Sequence, residues 1–168
     1  MTEGKNDVIL TSAGGKSIRF KEEDVRPMGR TAKGVGGIEL GPDGRLVDLC
    51  IIEPESAVQI ATITENGFGK QTPVGEYVRQ KRLGKGLLDI DTGERNGPVV
   101  ATCVVSKEQD IIVVTTNGQS IRMPADEITQ MGRNTKGVKI VELDADDSVA
   151  VVSRGVERVQ VAQHGDAV

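Results

Sequence analysis

The chain has 168 residues, 37% hydrophobic content, 21 glycines and a net charge of −4, with two phenylalanines, one tyrosine and no tryptophan. That length suffices for one domain with its own core. The two cysteines exclude a disulfide framework and fit a reducing compartment. The longest apolar runs are a few residues, against the roughly 20 that a spanning helix requires, which predicts a cytoplasmic protein with neither leader nor membrane span.

In chain order, one arrangement is written three times, over about residues 7–54, 57–108 and 109–155, with a polar tail from 156 to 168. The copies are offset by 52 and 51 residues, so that Gly15, Gly67 and Gly118 share one register position. A fixed period near fifty marks a supersecondary unit that cannot bury its apolar face alone. Each copy runs from an apolar stretch through a glycine turn, a second stretch, a basic loop and a third stretch to an acidic turn and a fourth. In the third copy these read DIIVVTT, Asn117-Gly118, QSIRM, the loop, GVKIVEL, DADDS and VAVVS. Asn-Gly between β-branched runs predicts a tight hairpin of type I′, recurring at Asn66-Gly67 and as Gly14-Gly15.

Helices are excluded by the scattered glycines and by the absence of a sustained 3.6-residue apolar stripe. The expected fold is therefore all-β: about twelve strands in three four-stranded blades, radially arranged as in a propeller. Three blades are too few to close a ring, which predicts half of a six-bladed domain or half-discs that self-associate. Pro27, Pro73 and Pro124 stand at the entry to the loops, where a missing N–H removes no ladder bond. Cys50 and Cys103 occupy matching apolar runs and are expected in the core.

The three loops are MGRTAKG at 28–34, QKRLGKG at 80–86 and MGRNTKG at 131–137. All contain R-x-x-K-G: Arg30, Lys33 and Gly34; Arg82, Lys85 and Gly86; Arg133, Lys136 and Gly137. Paired cations can engage neighbouring phosphates, and the trailing glycine lets backbone N–H groups approach closely. With Arg26, Lys70, Arg79, Lys81 and Lys139, the loop segments carry +3, +4 and +3 in a chain whose net charge is −4. Such segregation creates a local positive field on an acidic protein. Few aromatics favour duplex over single-stranded nucleic acid, whose readers stack bases on rings.

QKRLGKG resembles the Q-R-R-G-G-K-G box in the C-terminal domain of gyrase A, a DNA topoisomerase chain, agreeing at Gln80, Arg82, Gly84, Lys85 and Gly86 and departing at Lys81 and Leu83. TENGFGKQTPVGEY, ERNGPVV and GRNTKGV resemble the later blades of that DNA gyrase domain, so the likeness runs from about residue 7 to 155. The resemblance implies a β-pinwheel that wraps double-stranded DNA around a basic rim and thereby supports negative supercoiling. It also implies two partners, the remainder of gyrase A and the whole of gyrase B, in the nucleoid of a bacterial cytoplasm. Arg82, Lys85, Gly86 and their register mates become expected DNA contacts. Two alternatives stand beside it: the corresponding tail of topoisomerase IV, which directs decatenation, and a propeller-like protein-interaction module without DNA.

No catalytic group, cofactor or metal is expected. Tyr77 lacks supporting acids and reads as packing or a rim contact. Gly15-Lys16-Ser17 lacks the first glycine of a phosphate-binding loop. Asp144, Asp146 and Asp147 form a solvated acidic turn rather than a calcium loop, and His164 stands alone.

Overall fold

Alternating β-branched residues do fold as antiparallel hairpins in the computed structural model, which describes residues 2–42 and 44–157. The expected tail beyond residue 157, with His164, lies outside the described residues. The strands are β1 (Asp7–Ser12), β2 (Lys16–Lys21), β3 (Leu46–Ile52), β4 (Gln59–Thr64), β5 (Phe68–Pro73), β6 (Leu87–Leu88), β7 (Val99–Val105), β8 (Gln109–Thr115), β9 (Ser120–Pro124), β10 (Val138–Lys139) and β11 (Val149–Glu157). They form three sheets of order β3-β1-β2-β6, β10-β5-β4-β7 and β11-β8-β9. Among the described residues there are thus eleven strands, where the sequence pattern predicts about twelve.

The sheets are not the repeats. β6 belongs to the second sequence unit yet pairs with β2 of the first, Ser17 facing Leu87 and Lys16 facing Leu88. β10 of the third unit pairs with β5 of the second in the same register, Gly69 facing Val138 and Phe68 facing Lys139. The second and third basic loops are therefore each continuous with a two-residue strand that completes the preceding sheet, whereas the first enters no strand among the described residues. The third sheet has no such outer strand among the described residues. β7 packs against both β3 and β11 at the inner edge, which leaves β6 and β10 at the outer edge.

The hairpin turns differ from the type I′ expectation. Gly15, Gly67 and Gly118 donate to the carbonyls of Ser12, Thr64 and Thr115 at 3.0, 3.1 and 3.0 Å. Only these glycines have positive φ, at 75°, 79° and 84°, whereas Gly14, Asn66 and Asn117 do not. The loops are three residues long, a turn followed by one left-handed residue. A hydroxyl at the turn's first position reinforces each: Ser12 Oγ donates to Lys16 O, Thr64 Oγ1 to Phe68 O, and Thr115 Oγ1 accepts from Gln119 N.

The apolar core lies between sheets. Ile9, Cys50, Ile52, Ile60, Val74 and Tyr77 fill the space between the first two sheets, and Ile63, Val105, Ile111, Val113, Ile128 and Val141 that between the second and third. Cys50 is a buried free thiol that donates to Thr102 O, and burial pushes it up to about 12; Cys103 is likewise pushed up to about 11. Their core placement matches the sequence reading.

Candidate nucleic-acid interface

Each basic loop follows a short 3-10 turn, and the second and third cross the outer edge of a sheet and enter the strand that completes it. Two parallel bridges, Ile38 to Gly84 and Ile90 to Thr135, tie consecutive loops together. The Glu39 N–H donates to Gly84 O at 2.9 Å and the Asp91 N–H to Thr135 O at 3.1 Å. The three loops therefore run side by side in one direction along one edge, and positions that match in sequence recur along it.

The loop arginines hold this arrangement. Arg82 donates through Nε to Asp24 O at 3.1 Å and through NH1 to Gly36 O. Arg133 repeats the contact one unit on, its NH1 donating to Leu88 O at 2.6 Å, while Glu76 Oε2 accepts from its backbone N–H at 3.3 Å. Both guanidinium groups are half-buried. They staple each loop to the one before it. Arg30, at the same place in the first loop, is exposed and makes no hydrogen bond among the described residues.

The lysines behave differently. Lys33, Lys81 and Lys85 are exposed, as is Arg26, and none makes an ion pair among the described residues. Lys136 is exposed with Asp91 3.8 Å away, and Lys139 pairs with Glu142 at 2.9 Å. Lys33, Lys85 and Lys136 thus occupy one register position on three adjacent loops. Gly34, Gly86 and Gly137 follow them with φ of 81°, 69° and 66°. Gly84 makes the bridge just described. Leu83, where the resembling box has glycine, has φ 65° and is 56% exposed. A left-handed leucine carries roughly 1–2 kcal/mol of backbone strain.

One expected contact needs correction. Lys70 is fully buried. Its ammonium donates to Asp89 O at 2.6 Å, Gly132 O at 2.9 Å and Arg133 O, with Asp89 Oδ1 at 3.4 Å. Burial pulls its pKa below the ordinary lysine value, and the Asp89 charge opposes that. Lys70 reaches no solvent and organises the third loop from beneath. Arg79 is half-committed: its Nε donates to both Asp7 carboxylate oxygens at 3.0 and 2.9 Å, beside Arg19, whose NH2 lies 2.5 Å from Oδ2. Tyr77 is packing, as expected. Its hydroxyl donates to Asp89 Oδ1 at 2.9 Å, and burial raises its pKa.

Two rim cations escaped the sequence reading. Lys16, on the outer end of β2, lines a shallow cleft together with Lys85. Arg95 stacks its guanidinium 4.2 Å from the Phe68 ring centroid and reaches Gly137 O at 3.4 Å. Neither lies in a loop motif; position on the outer edge is what unites them with it. Asp147 is more than a solvated acid. Although burial acts against its charge, bonds from Thr115, Thr116 and the N–H groups of Asn117 and Ser148 hold its carboxyl at about 2.

The family described as DNA gyrase C-terminal domain, beta-propeller, matches residues 6–50, 59–102 and 109–154. The DNA gyrase A protein of Pseudomonas aeruginosa is 43% identical over 166 residues, covering 99% of this chain and 17% of its own. That of Kosmotoga olearia is 44% identical over 160 residues, covering 95% and 20%. The chain thus spans at most a fifth of these curated relatives. A solved DNA gyrase A C-terminal domain superposes with TM-score 0.82 at 26% identity, over 90% of this chain and 51% of that one. The C-terminal domain of DNA topoisomerase IV superposes at 0.85 with 21% identity, covering 93% and 48%, a likeness of fold alone.

Proposed function

The chain belongs to the DNA gyrase C-terminal domain family, and on that premise we propose that it is a non-catalytic module that binds and bends duplex DNA along its outer edge. The observation that carries this reading is the recurrence of exposed Lys33, Lys85 and Lys136 on three loops held side by side. The arginines set the spacing of the loops, and the lysines supply mobile point charges for phosphates. Phosphate contacts fix the path of a duplex without reading its sequence. Any preference then comes from the cost of bending, roughly 1–6 kcal/mol for 40–90° over 20–30 bp. In a longer protein with a strand-passing core and gyrase B, such wrapping would bias passage toward negative supercoils. The gyrase reading is favoured over topoisomerase IV because the relatives above 40% identity carry the gyrase name; fusion to either catalytic core, assayed for supercoiling and decatenation, separates them. No helix among the described residues is long and apolar enough to cross a membrane, and residence at the nucleoid would follow from the DNA contact.

The test is fluorescence anisotropy with a short duplex across a salt series. Each phosphate engaged contributes about −0.9 to the log-log salt slope, so Lys33→Glu/Lys85→Glu/Lys136→Glu is expected to flatten it by about 3 and to abolish most binding at low salt. A folded variant with unchanged affinity and slope would remove these lysines from the DNA path.

A further inference from the structure

One side chain of the outer edge belongs neither to the arginine staples nor to the lysines. Arg82 and Leu83 form a turn between Lys81 and Gly84, and Leu83 takes the corner with φ 65°, a place that favours glycine or asparagine. An asparagine does stand at the matching position of the third loop, Asn134, but without positive φ, as does Thr31 in the first. The strain is a property of the second loop alone. Strained residues that their surroundings hold in place cluster at ligand contacts.

The surroundings here do hold it. The Leu83 N–H donates to Gly37 O at 2.8 Å, Gly84 O accepts from the Glu39 N–H at 2.9 Å, and the side chain leans over Gly36, where a Cβ would strike its Cδ2. At the next joint Leu88 stands in the place of Gly36, so seat and leucine occur together only between the first two loops. Seated in this way, Leu83 is still 56% exposed. It lies between exposed Lys81 and Lys85 of its own loop and against the loop that carries exposed Arg30 and Lys33.

We propose that Leu83 rests on the floor of a minor groove of the bound duplex and makes the second loop discriminate A·T from G·C pairs, an inference that rests on the duplex-binding reading above. The surrounding cations draw phosphates to either side, so a groove rather than a strand meets the leucine between them. A major groove about 12 Å wide swallows a single leucine, whereas a minor groove about 6 Å wide is filled by one. Duplex bent around a protein also turns its minor groove inward once per helical turn, with cations at that place. On the groove floor A·T pairs show acceptors only, and G·C adds one donor, the guanine amino group. An apolar side chain pressed there covers that donor without a partner, which is unfavourable. Lysines on phosphates carry no such preference.

Inosine in place of guanine deletes that amino group and leaves the major-groove edge of the pair unchanged. In fluorescence anisotropy with an alternating G·C duplex of roughly 30 bp and its inosine counterpart, the wild type is expected to bind the inosine duplex about fivefold or more tightly. Leu83→Gly removes the side chain and relieves the turn, so the β-rich circular dichroism should persist. Leu83 meets no phosphate, so the log-log salt slope should persist as well, while the two duplexes bind alike to within about twofold. Leu83→Met keeps an apolar body at the corner and should keep the preference. Easier bending of the inosine duplex would favour it equally in every variant. A preference that survives in Leu83→Gly, one that is lost in Leu83→Met, or a wild type with salt-dependent binding and no preference would therefore overturn the proposal and leave the phosphate track standing. Absence of salt-dependent binding to any duplex would overturn both.

Discussion

Lys70 carries its charge inside the second sheet, with Thr62, Tyr77 and Asp89 around it. One repeat later the same four register positions are Val113, Ile121, Ile128 and Ile140, all packed in the apolar core. The aliphatic mates Ile18 and Ile121 were the signal that Lys70 faces inward; a tally of cations near a loop obscured it. Removing one member of a buried ionic group leaves the rest unpaired, so Lys70→Ile is expected to cost about 3–5 kcal/mol in urea unfolding. Installing the third unit's residues together, as Thr62→Val/Lys70→Ile/Tyr77→Ile/Asp89→Ile, should recover most of that loss, because well-packed apolar replacements of buried ion pairs are commonly neutral. Asp147 makes a prediction of opposite character. Its carboxyl sits at about 2 in the fold against an ordinary 3.8. A depressed folded value means the stabilisation is present above pH 4 and lost as pH falls from there toward 2. The gap in thermal midpoint between wild type and Asp147→Asn should therefore narrow over that interval.

At the scale of elements, the threefold hairpin order, the β class and the common side of the loops were all legible, because glycine register and β-branched runs encode them directly. The ownership of the outer strands was not. A strand of two residues has too little sequence to announce its partner, and the sequence units suggested pairing within themselves. The arginine staples were hidden for a related reason: their acceptors, Gly36 O and Leu88 O, are backbone carbonyls, and any residue supplies one. The strand joints can be probed by glycine replacement. Gly34 and Gly137 both have positive φ, so alanine at either carries about 1 kcal/mol of backbone cost. Only at Gly137 would the added Cβ also meet a carbonyl, that of Gly69 at 2.7 Å. Gly137→Ala is expected to destabilise by at least about 1 kcal/mol more than Gly34→Ala in urea unfolding.

Across the whole molecule, a net charge of −4 coexists with an outer edge where Arg26, Arg30, Lys33, Lys81 and Lys85 remain unpaired among the described residues. Several acids are committed elsewhere, Asp7 to Arg19 and Arg79, Asp89 to Lys70 and Asp147 to a turn, while Asp91 and Glu142 meet Lys136 and Lys139 of the third loop. This division was readable as segment charges, since composition along the chain maps onto sides once the repeat is known. Which cations stay available required the fold. The salt-slope experiment addresses this scale, because a duplex path assembled from three loops loses its ionic character only when all three lysines are changed.

The outer strand that each sequence unit extends to its predecessor also governs how such a chain can change length. Excising one whole copy brings together a sheet awaiting an edge and a strand of identical register, so the flanking modules can rejoin without a new contact being invented. A cut anywhere else strands an unmatched ribbon. Duplication or deletion by complete periods is thus the tolerated mode of growth for this architecture, written into where its backbone crosses over.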